Sequence, residues 1–343
     1  MNERELKNRM TLQQKKPLVF AKISKHPEMI KNKECVALIQ LQYNYACNFK
    51  CKHCAIEKFK QNAGSGRCMT IPDVKRIADQ ADAMGLASIC ISGGEPLIFP
   101  DLKDIIDTID PRRFVISMDT NGWFLSEKKI KWLVENGVDR IHLSMDGLAG
   151  NHDAFRNKEK SWERCIEALP YCNEYGLGVI INIVATKNLI ESGELIKQLD
   201  YISQFQEHAS IIYAKPIGAF ENSHNEILDS KDLEYIQSLT KKYNCSTHLS
   251  VNCGYEFGCL CFKRHLAITV YGDILPCPWI PIKIGNIFTE DLEIIVKRGL
   301  NIKWFSYDNK YSCQSGNRDT YFYQNILPQV KDYPTDWRKI KWE

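Results

Sequence analysis

The sequence predicts an α/β fold: a partial (β/α)6 TIM-like barrel followed by a small cysteine-bearing extension. Three observations lead there. Six short apolar runs alternate with amphipathic helical segments, the pattern of parallel βαβ units. Short polar loops follow several of those runs, at what would be the C-terminal edge of a parallel sheet, where such folds gather their functional groups. Cysteines then cluster twice, just after the first run and again beyond residue 240.

Residues 1–35 are polar and Lys-rich without a strong period, and read as an N-terminal arm, helical or irregular. Strands are expected at Val36–Gln42, Ala87–Ser92, Phe114–Met118, Arg140–Ser144, Val179–Val184 and Ser210–Lys215. The clearest helix starts at Thr70, an N-cap with Asp73 three residues on. It carries Ile71, Val74, Ile77, Ala81 and Met84 on one face and stops at Gly85. Further helices are expected near 126–136, 160–175 and 189–204. The barrel then spans 36–225, and 226–343 forms the extension and tail, with a helix over 230–243, a hairpin around Gly272 and a helix near 289–298.

Composition narrows the function. With 44% hydrophobic and 25% charged residues the chain is ordinary globular protein, and a net charge of +3 is too small to argue for nucleic acid or an anionic membrane. The polar start lacks a signal-peptide core, and no run approaches the roughly 18 apolar residues of a membrane span. A cytoplasmic location is expected. There, 14 cysteines point to metal or redox chemistry rather than disulfides. Cys90, Cys165 and Cys172 fall in apolar or helical patterns and read as small buried hydrophobes. The basic pairs Lys50/Lys52 and Lys58/Lys60 either offset negative charge at the first cysteine group or stay solvated.

That group is Cys47-x3-Cys51-x2-Cys54. A closed zinc site wants four protein ligands, and His53 as the fourth would have to share one tetrahedral ion with its neighbour Cys54. A cubane iron–sulfur cluster ordinarily takes four cysteines, so three leave one iron open to a chelating small molecule.

On these residues the sequence resembles the radical S-adenosylmethionine (radical SAM) enzymes. The resemblance implies a [4Fe–4S] cluster on Cys47, Cys51 and Cys54, whose open iron holds S-adenosylmethionine (SAM). Reductive cleavage of SAM then gives a 5′-deoxyadenosyl radical that takes a hydrogen from substrate, with electrons from a reductant such as flavodoxin or ferredoxin. His53 stands where the family usually has an aromatic residue near adenine. Gly93-Gly94-Glu95-Pro96 is similar to the motif that binds the SAM amino group: glycines let backbone oxygens approach, and Glu95 accepts from the amine. The segment 141–147, followed by His152, Asp153 and Arg156, looks like the fourth-strand region of peptide-modifying members, implying Ser144 as a polar contact to SAM and Arg156 for its carboxylate. Thr120-Asn121-Gly122 also fits the family pattern.

Cys261-x10-Gly272-x4-Cys277, or equally Cys259-x12-Gly272-x4-Cys277, with Gly285-Asn286 beyond, is similar to the start of a SPASM or shorter Twitch extension. With Cys313 closing the site and Cys253 as a further candidate, the resemblance implies one auxiliary [4Fe–4S] cluster, since the dense array of a full SPASM extension does not follow Cys277; a zinc ribbon is the rival reading. Pro278 stands where sulfatase-maturing members carry an aspartate base. The implied activity is oxidation, epimerisation or cross-linking of a ribosomal peptide or small natural product. Because the arm is too short for a full leader-peptide reader, a separate peptide-recognition protein is a possible partner. In an epimerisation, Cys245 or Cys253 could return a hydrogen atom. Radical SAM chemistry of tetrapyrrole or other cofactor synthesis is the rival within the class, and a non-catalytic iron–sulfur or zinc regulator the rival outside it.

Overall fold

The computed structural model describes residues 10–61, 66–247, 258–309 and 313–343. Residues 10–15 are helical, and helix α1 (Pro17–Lys31) follows with Pro at its start, where a missing N–H costs nothing. Strand β1 (Leu38–Asn44) enters the sheet and leads to the cysteine loop and a short helix α2 (Glu57–Gln61). Helix α3 (Ile71–Ala83) follows, opened as expected by the Thr70 N–H donating to Asp73 at 2.9 Å. The alternation continues through β2 (Ser88–Gly93), α4 (Leu102–Ile109), β3 (Val115–Thr120), α5 (Glu127–Glu135), β4 (Arg140–Ser144), α6 (Ala149–Arg156), α7 (Ser161–Tyr175) and β5 (Gly178–Ala185). The helix expected over 189–204 is two, α8 (Lys187–Glu191) and α9 (Glu194–Ser203), because Gly193 sits between them in the left-handed region. Then come β6 (His208–Tyr213) and α10 (Ser230–Leu239).

Strands β1 to β6 pair in parallel in sequence order, the arrangement expected of the partial barrel. Two additions extend it at opposite edges. Strand β7 (Cys245–Thr247) adds in parallel beside β6, in a stretch where sequence periodicity marks no strand. Strand β8 (His265–Ile268) pairs in parallel with β1, Leu38 opposite His265, and then turns at Gly272 into the antiparallel β9 (Asp273–Leu275). The predicted hairpin is therefore part of the barrel sheet. Beyond it come β10 (Ile282–Lys283), β11 (Gly285–Asn286), which pairs with β9, and α11 (Leu292–Leu300), which leans on α3 where the Leu292 N–H donates to Gln80 Oε1 at 2.6 Å.

Each strand alternates between the helix layer and the lumen. On β1, Ile39 and Leu41 are fully buried in the main core with Ile77 and Ala81 of α3, while Gln40 and Gln42 face the cavity inside. The arm is better organised than its polar sequence suggests. Val19 of α1 is completely buried against Ala87 and Val115, and Lys22 Nζ donates to the carbonyls of Leu86 and Arg113 at 3.0 and 2.7 Å. Lys16 Nζ reaches Phe114 O at 3.0 Å and Asp139 at 2.5 Å. These partners lie just before β2, β3 and β4, so α1 covers the edge of the sheet opposite the polar loops. No helix among the described residues is long and apolar enough to cross a membrane.

Since α1 caps that edge, Val19→Asp should lower the unfolding free energy by about 3 kcal/mol, the scale of burying an unpaired charge. Lys33→Ala, which breaks an exposed ion pair with Asp308, should change it by less than about 0.5 kcal/mol. Equal urea midpoints for Val19→Asp and the parent protein would show that α1 does not belong to the cooperative core.

Candidate active site

The loop after β1 is fixed by backbone contacts from two sides. From β2, the Gly94 N–H donates to Asn44 O at 2.8 Å and the Glu95 N–H to Ala46 O at 2.9 Å. A Cβ on Gly94 would stand 1.9 Å from Ala46 O, so no other residue allows this crossing. From the far side, the Ala219 N–H donates to Cys54 O at 2.9 Å, and Gly218, at φ +59°, approaches the same oxygen where a Cβ would stand 2.2 Å away. So held, Cys47, Cys51 and Cys54 border a cavity of about 220 Å³. His53, Gly93, Gly94, Glu95, Ser144 and Arg156 line the same cavity, which gathers every residue that the sequence marks for SAM.

The three sulfurs are not drawn together to the spacing of one ion's ligands. Tetrahedral zinc–sulfur bonds of about 2.3 Å put ligand sulfurs roughly 3.8 Å apart. Among the described residues, the set whose donor atoms all lie within 4.8 Å of one another is Cys90, Asp119 and His142, which includes neither cysteine group. Three cysteines at a cavity wall are the donor set that a cubane cluster with one open iron takes. Burial pushes the Cys54 thiol up to about 11 and raises Cys47 as well, so metal binding here must displace protons. Lys60 opposes that rise in both thiols, while Lys58 is paired with Glu221 at 2.6 Å and Lys50 and Lys52 are exposed.

Glu95 is 1% exposed. Its carboxylate accepts from the Leu97 N–H at 3.1 Å, Thr120 Oγ1 at 2.8 Å and the Asn121 N–H at 2.7 Å, so the loop after β3 serves to hold this group. Burial outweighs those three donors and pushes its carboxyl up to about 7. An amine arriving in the cavity would meet an acceptor short of positive charge. His53 stacks on Phe155 with ring centres 4.3 Å apart and planes 7° from parallel. Burial, then the Arg156 charge, keep the imidazole neutral well below the usual histidine range, which leaves a flat π surface at the cavity.

Arg156 is buried at the end of α6, not displayed on the surface. One edge of its guanidinium pairs with Asp146, whose other oxygen accepts from the Val184 N–H at 2.6 Å, and Nη1 points to Cys51 Sγ at 3.9 Å. Its charge thus already serves the cysteine loop, with one face on the cavity. Asp153 has a structural task, accepting from Lys160, Ser161 and Trp162 to start α7.

The second cysteine group is also assembled. Cys259, Cys261, Cys277 and Cys313 are all buried. Cys259 and Cys261, which spacing could not choose between, both belong to it, with sulfurs 3.4 Å apart. Cys253 lies outside the described residues. Lys215, two residues past β6, is 5% exposed; burial lowers its ammonium from the ordinary lysine value, and the charges of these four cysteines oppose that. Lys215, Pro278 and Trp279 also line the main cavity, so that cavity runs from the first cysteine loop to the edge of the second group. Cys245 is buried in β7 and is not among the lining residues.

A lumen network went unmarked in the sequence. Asp119 accepts from Gln40 Nε2 at 2.6 Å and meets His142 Nδ1 at 2.8 Å, while Cys90 lies 3.7 Å from that nitrogen. Cys90 is therefore buried, as expected, but in polar company. Two-residue periodicity along β1 to β4 carries the signal: the lumen-facing positions Gln40, Ser92, Asp119 and Ser144 are polar where a closed barrel core would be apolar.

Comparison with known proteins agrees with this geometry. Residues 41–198 match the model of the radical SAM superfamily and residues 259–316 that of the SPASM iron–sulfur cluster-binding domain. GTP 3′,8-cyclase of Campylobacter fetus subsp. fetus is 27% identical over 264 residues, 71% of this chain and 80% of that protein. The AdoMet-dependent heme synthase of Nitratidesulfovibrio vulgaris is 21% identical over 310 residues, 81% and 83% of the two chains. Among solved structures, Streptococcus suis SuiB bound to its precursor peptide SuiA shares the fold with a TM-score of 0.61 at 22% identity, over 81% of this chain and 67% of that one. These families are catalytic and iron–sulfur dependent, which removes the non-catalytic regulator. The chain is an enzyme of the radical SAM superfamily, with a SAM-binding [4Fe–4S] cluster and a SPASM-type extension for an auxiliary iron–sulfur cluster.

Proposed function

We propose that this enzyme modifies a ribosomally made peptide by hydrogen abstraction, with the substrate held between the two cysteine groups. The observation that carries the reading is the single cavity lined both by Cys47, Cys51, Cys54 and Glu95 and by Lys215, Pro278 and Trp279, neighbours of the second cysteine group. Cys47, Cys51 and Cys54 would hold the SAM-binding cluster; Cys259, Cys261, Cys277 and Cys313 are the ligand candidates for one auxiliary [4Fe–4S] cluster. When bound, SAM supplies a 5′-deoxyadenosyl radical upon reduction. The chain's own residues do the rest. Glu95 and the backbone at Gly93 and Gly94 receive the SAM amine, and the His53–Phe155 pair offers a face to adenine. Ser144 adds a polar contact. Arg156 balances the Cys51 thiolate and presents its remaining face to a carboxylate. The fold shared with a peptide-bound structure supports a peptide substrate. A second reading, small-molecule cofactor synthesis, is favoured by the likeness to the cyclase and the heme synthase.

Anaerobically reconstituted protein should carry about eight irons per chain, two cubanes' worth, and cleave SAM under a strong reductant. Replacing Cys47, Cys51 and Cys54 together by Ala should abolish the cleavage, and SAM turnover surviving in that variant would sink the reading of the first site. Replacing Cys277 and Cys313 by Ala should reduce the iron to about four; an unchanged count would remove the auxiliary site from these cysteines. Candidate substrates separate the two functional readings. Loss of hydrogens from a short peptide encoded beside the gene, read by mass spectrometry, supports the first, whereas consumption of a nucleotide or tetrapyrrole with the peptide untouched supports the second.

Glu95 gives a pH signature in the ligand-free protein. Its folded carboxyl, at about 7, holds a proton more tightly than the unfolded chain does at about 4.5. Its contribution to stability is thus present in full below the unfolded value and is lost as pH rises through the folded one. In Glu95→Gln that titration is gone. Relative to the parent, the variant's unfolding free energy should improve from pH 4.5 to 7 and level off above; a difference independent of pH would show that Glu95 ionises normally.

A further inference from the structure

We propose that Lys215 is the electrostatic control on the auxiliary cluster, a buried cation that holds its reduction potential up at the point where the cluster site meets the substrate cavity. This rests on the assignment of Cys259, Cys261, Cys277 and Cys313 to that cluster.

Two lysines are buried among the described residues: Lys263, whose Nζ donates to Ser306 O and Asn309 O at 3.1 and 3.2 Å, and Lys215, which alone of the two lines the cavity. Its side chain is buried, and a buried ammonium persists only where something compensates its lost hydration. Two local partners help: Nζ donates to Tyr213 O and lies 4.7 Å from the centre of the Trp279 ring, a cation–π position. Burial lowers the ammonium from the ordinary lysine value, and the charges that oppose this are those of Cys313, Cys277, Cys259 and Cys261. The approach is close. Lys215 Cε and Cys313 Sγ lie 3.3 and 3.2 Å from the one point that a Cβ on Gly316 would occupy, so the lysine stem and the ligand sulfur both border the space that the glycine leaves open.

Four thiolates around an iron–sulfur core leave the centre net negative, and reduction adds one more negative charge. A fixed cation in a low-dielectric wall therefore favours the reduced form over the oxidised one and raises the potential. Lys215 is set to have this effect without being a ligand. Trp279, two residues beyond the ligand candidate Cys277, covers the ammonium and lines the cavity with it, so the same charge is felt by whatever occupies the cavity. The first cluster site has its own cation in Arg156, beside Cys51. The second group has a further buried cation in Lys263, two residues from Cys261, whose charge bears on Cys259.

The test is a redox titration of reconstituted Lys215→Met and Lys215→Arg, followed by electron paramagnetic resonance, with iron counted in each preparation. Lys215→Met should keep both clusters and make the auxiliary one at least tenfold harder to reduce, about 59 mV more negative for one electron, with the SAM-binding cluster unmoved. Lys215→Arg, which keeps the charge, should stay near the parent value. An auxiliary potential unchanged in Lys215→Met, or shifted equally in both variants, overturns the proposal. Loss of the auxiliary iron in Lys215→Met and again in Lys215→Gln assigns the lysine a structural role and overturns it as well. Parent protein with only about four irons would instead defeat the cluster assignment beneath it, a distinct failure seen before any variant is made.

Discussion

The site depends on one backbone crossing. The chain leaving β2 at Gly93-Gly94 passes so close to the chain leaving β1 that Gly94 and Glu95 bond to Asn44 and Ala46, with no room for a side chain between them. Everything chemical follows from that contact. It sets the start of the cysteine loop, and with it the directions of three sulfurs. It also sets Glu95 just inside the cavity, where its carboxylate is reached by donors from the loop after β3. A hydrogen-bonded crossing between neighbouring parallel strands is stiff because both ends are anchored in the sheet. Precision within a fraction of an ångström is what binding a chelated cofactor at an open iron requires.

Around this crossing the barrel departs from the economy of a closed core. A sealed parallel barrel fills its lumen with apolar layers, but here Gln40, Ser92, Asp119, His142 and Asn182 point inward. Their polar atoms are costly to bury, and the cost is offset by pairing: Asp119 takes Gln40 and His142, and Asp146 takes Arg156 and the Val184 N–H. The apolar energy that keeps the fold together lies instead on the outer faces of the same strands, where Ile39, Leu41, Ile89 and Ile141 meet the helices. The alternation of a strand divides the labour, one face for stability and the other for chemistry.

This division also explains what could be read from sequence. The strands with fully apolar outer faces were legible, as were the glycines and cysteines, because few other physical reasons put those residues at those spacings. The boundaries shifted by about two residues where a loop residue continues the ladder: β1 extends to Asn44 past a bulge. The arm was hard to read because α1 buries a single full side chain, Val19, and ties itself down with Lys16 and Lys22, whose targets are carbonyls far away in sequence. Strand β7 is three residues long, too short for any period. Lys215 carried no local signal at all, since its meaning depends on cysteines up to 98 positions away that only the fold brings beside it.

The placement of the extension follows from the same sheet. Because β8 pairs in parallel with β1, the strand that feeds Cys277 through its hairpin lies next to the strand that feeds Cys47. The two cysteine groups are thus delivered by neighbouring strands, one directly and one after a turn at Gly272. That turn lifts the second group to the side of the cavity, where Pro278 and Trp279 form the wall. In this chain the position after Cys277 is a proline, which can neither accept a proton nor donate from its backbone nitrogen. Chemistry that needs a base at this wall must draw on another group, and Lys215 as a cation does not meet that need. With Glu95 engaged by the cofactor amine in the proposed arrangement, the carboxylate that remains in the cavity lining is Asp119, held by its histidine partner.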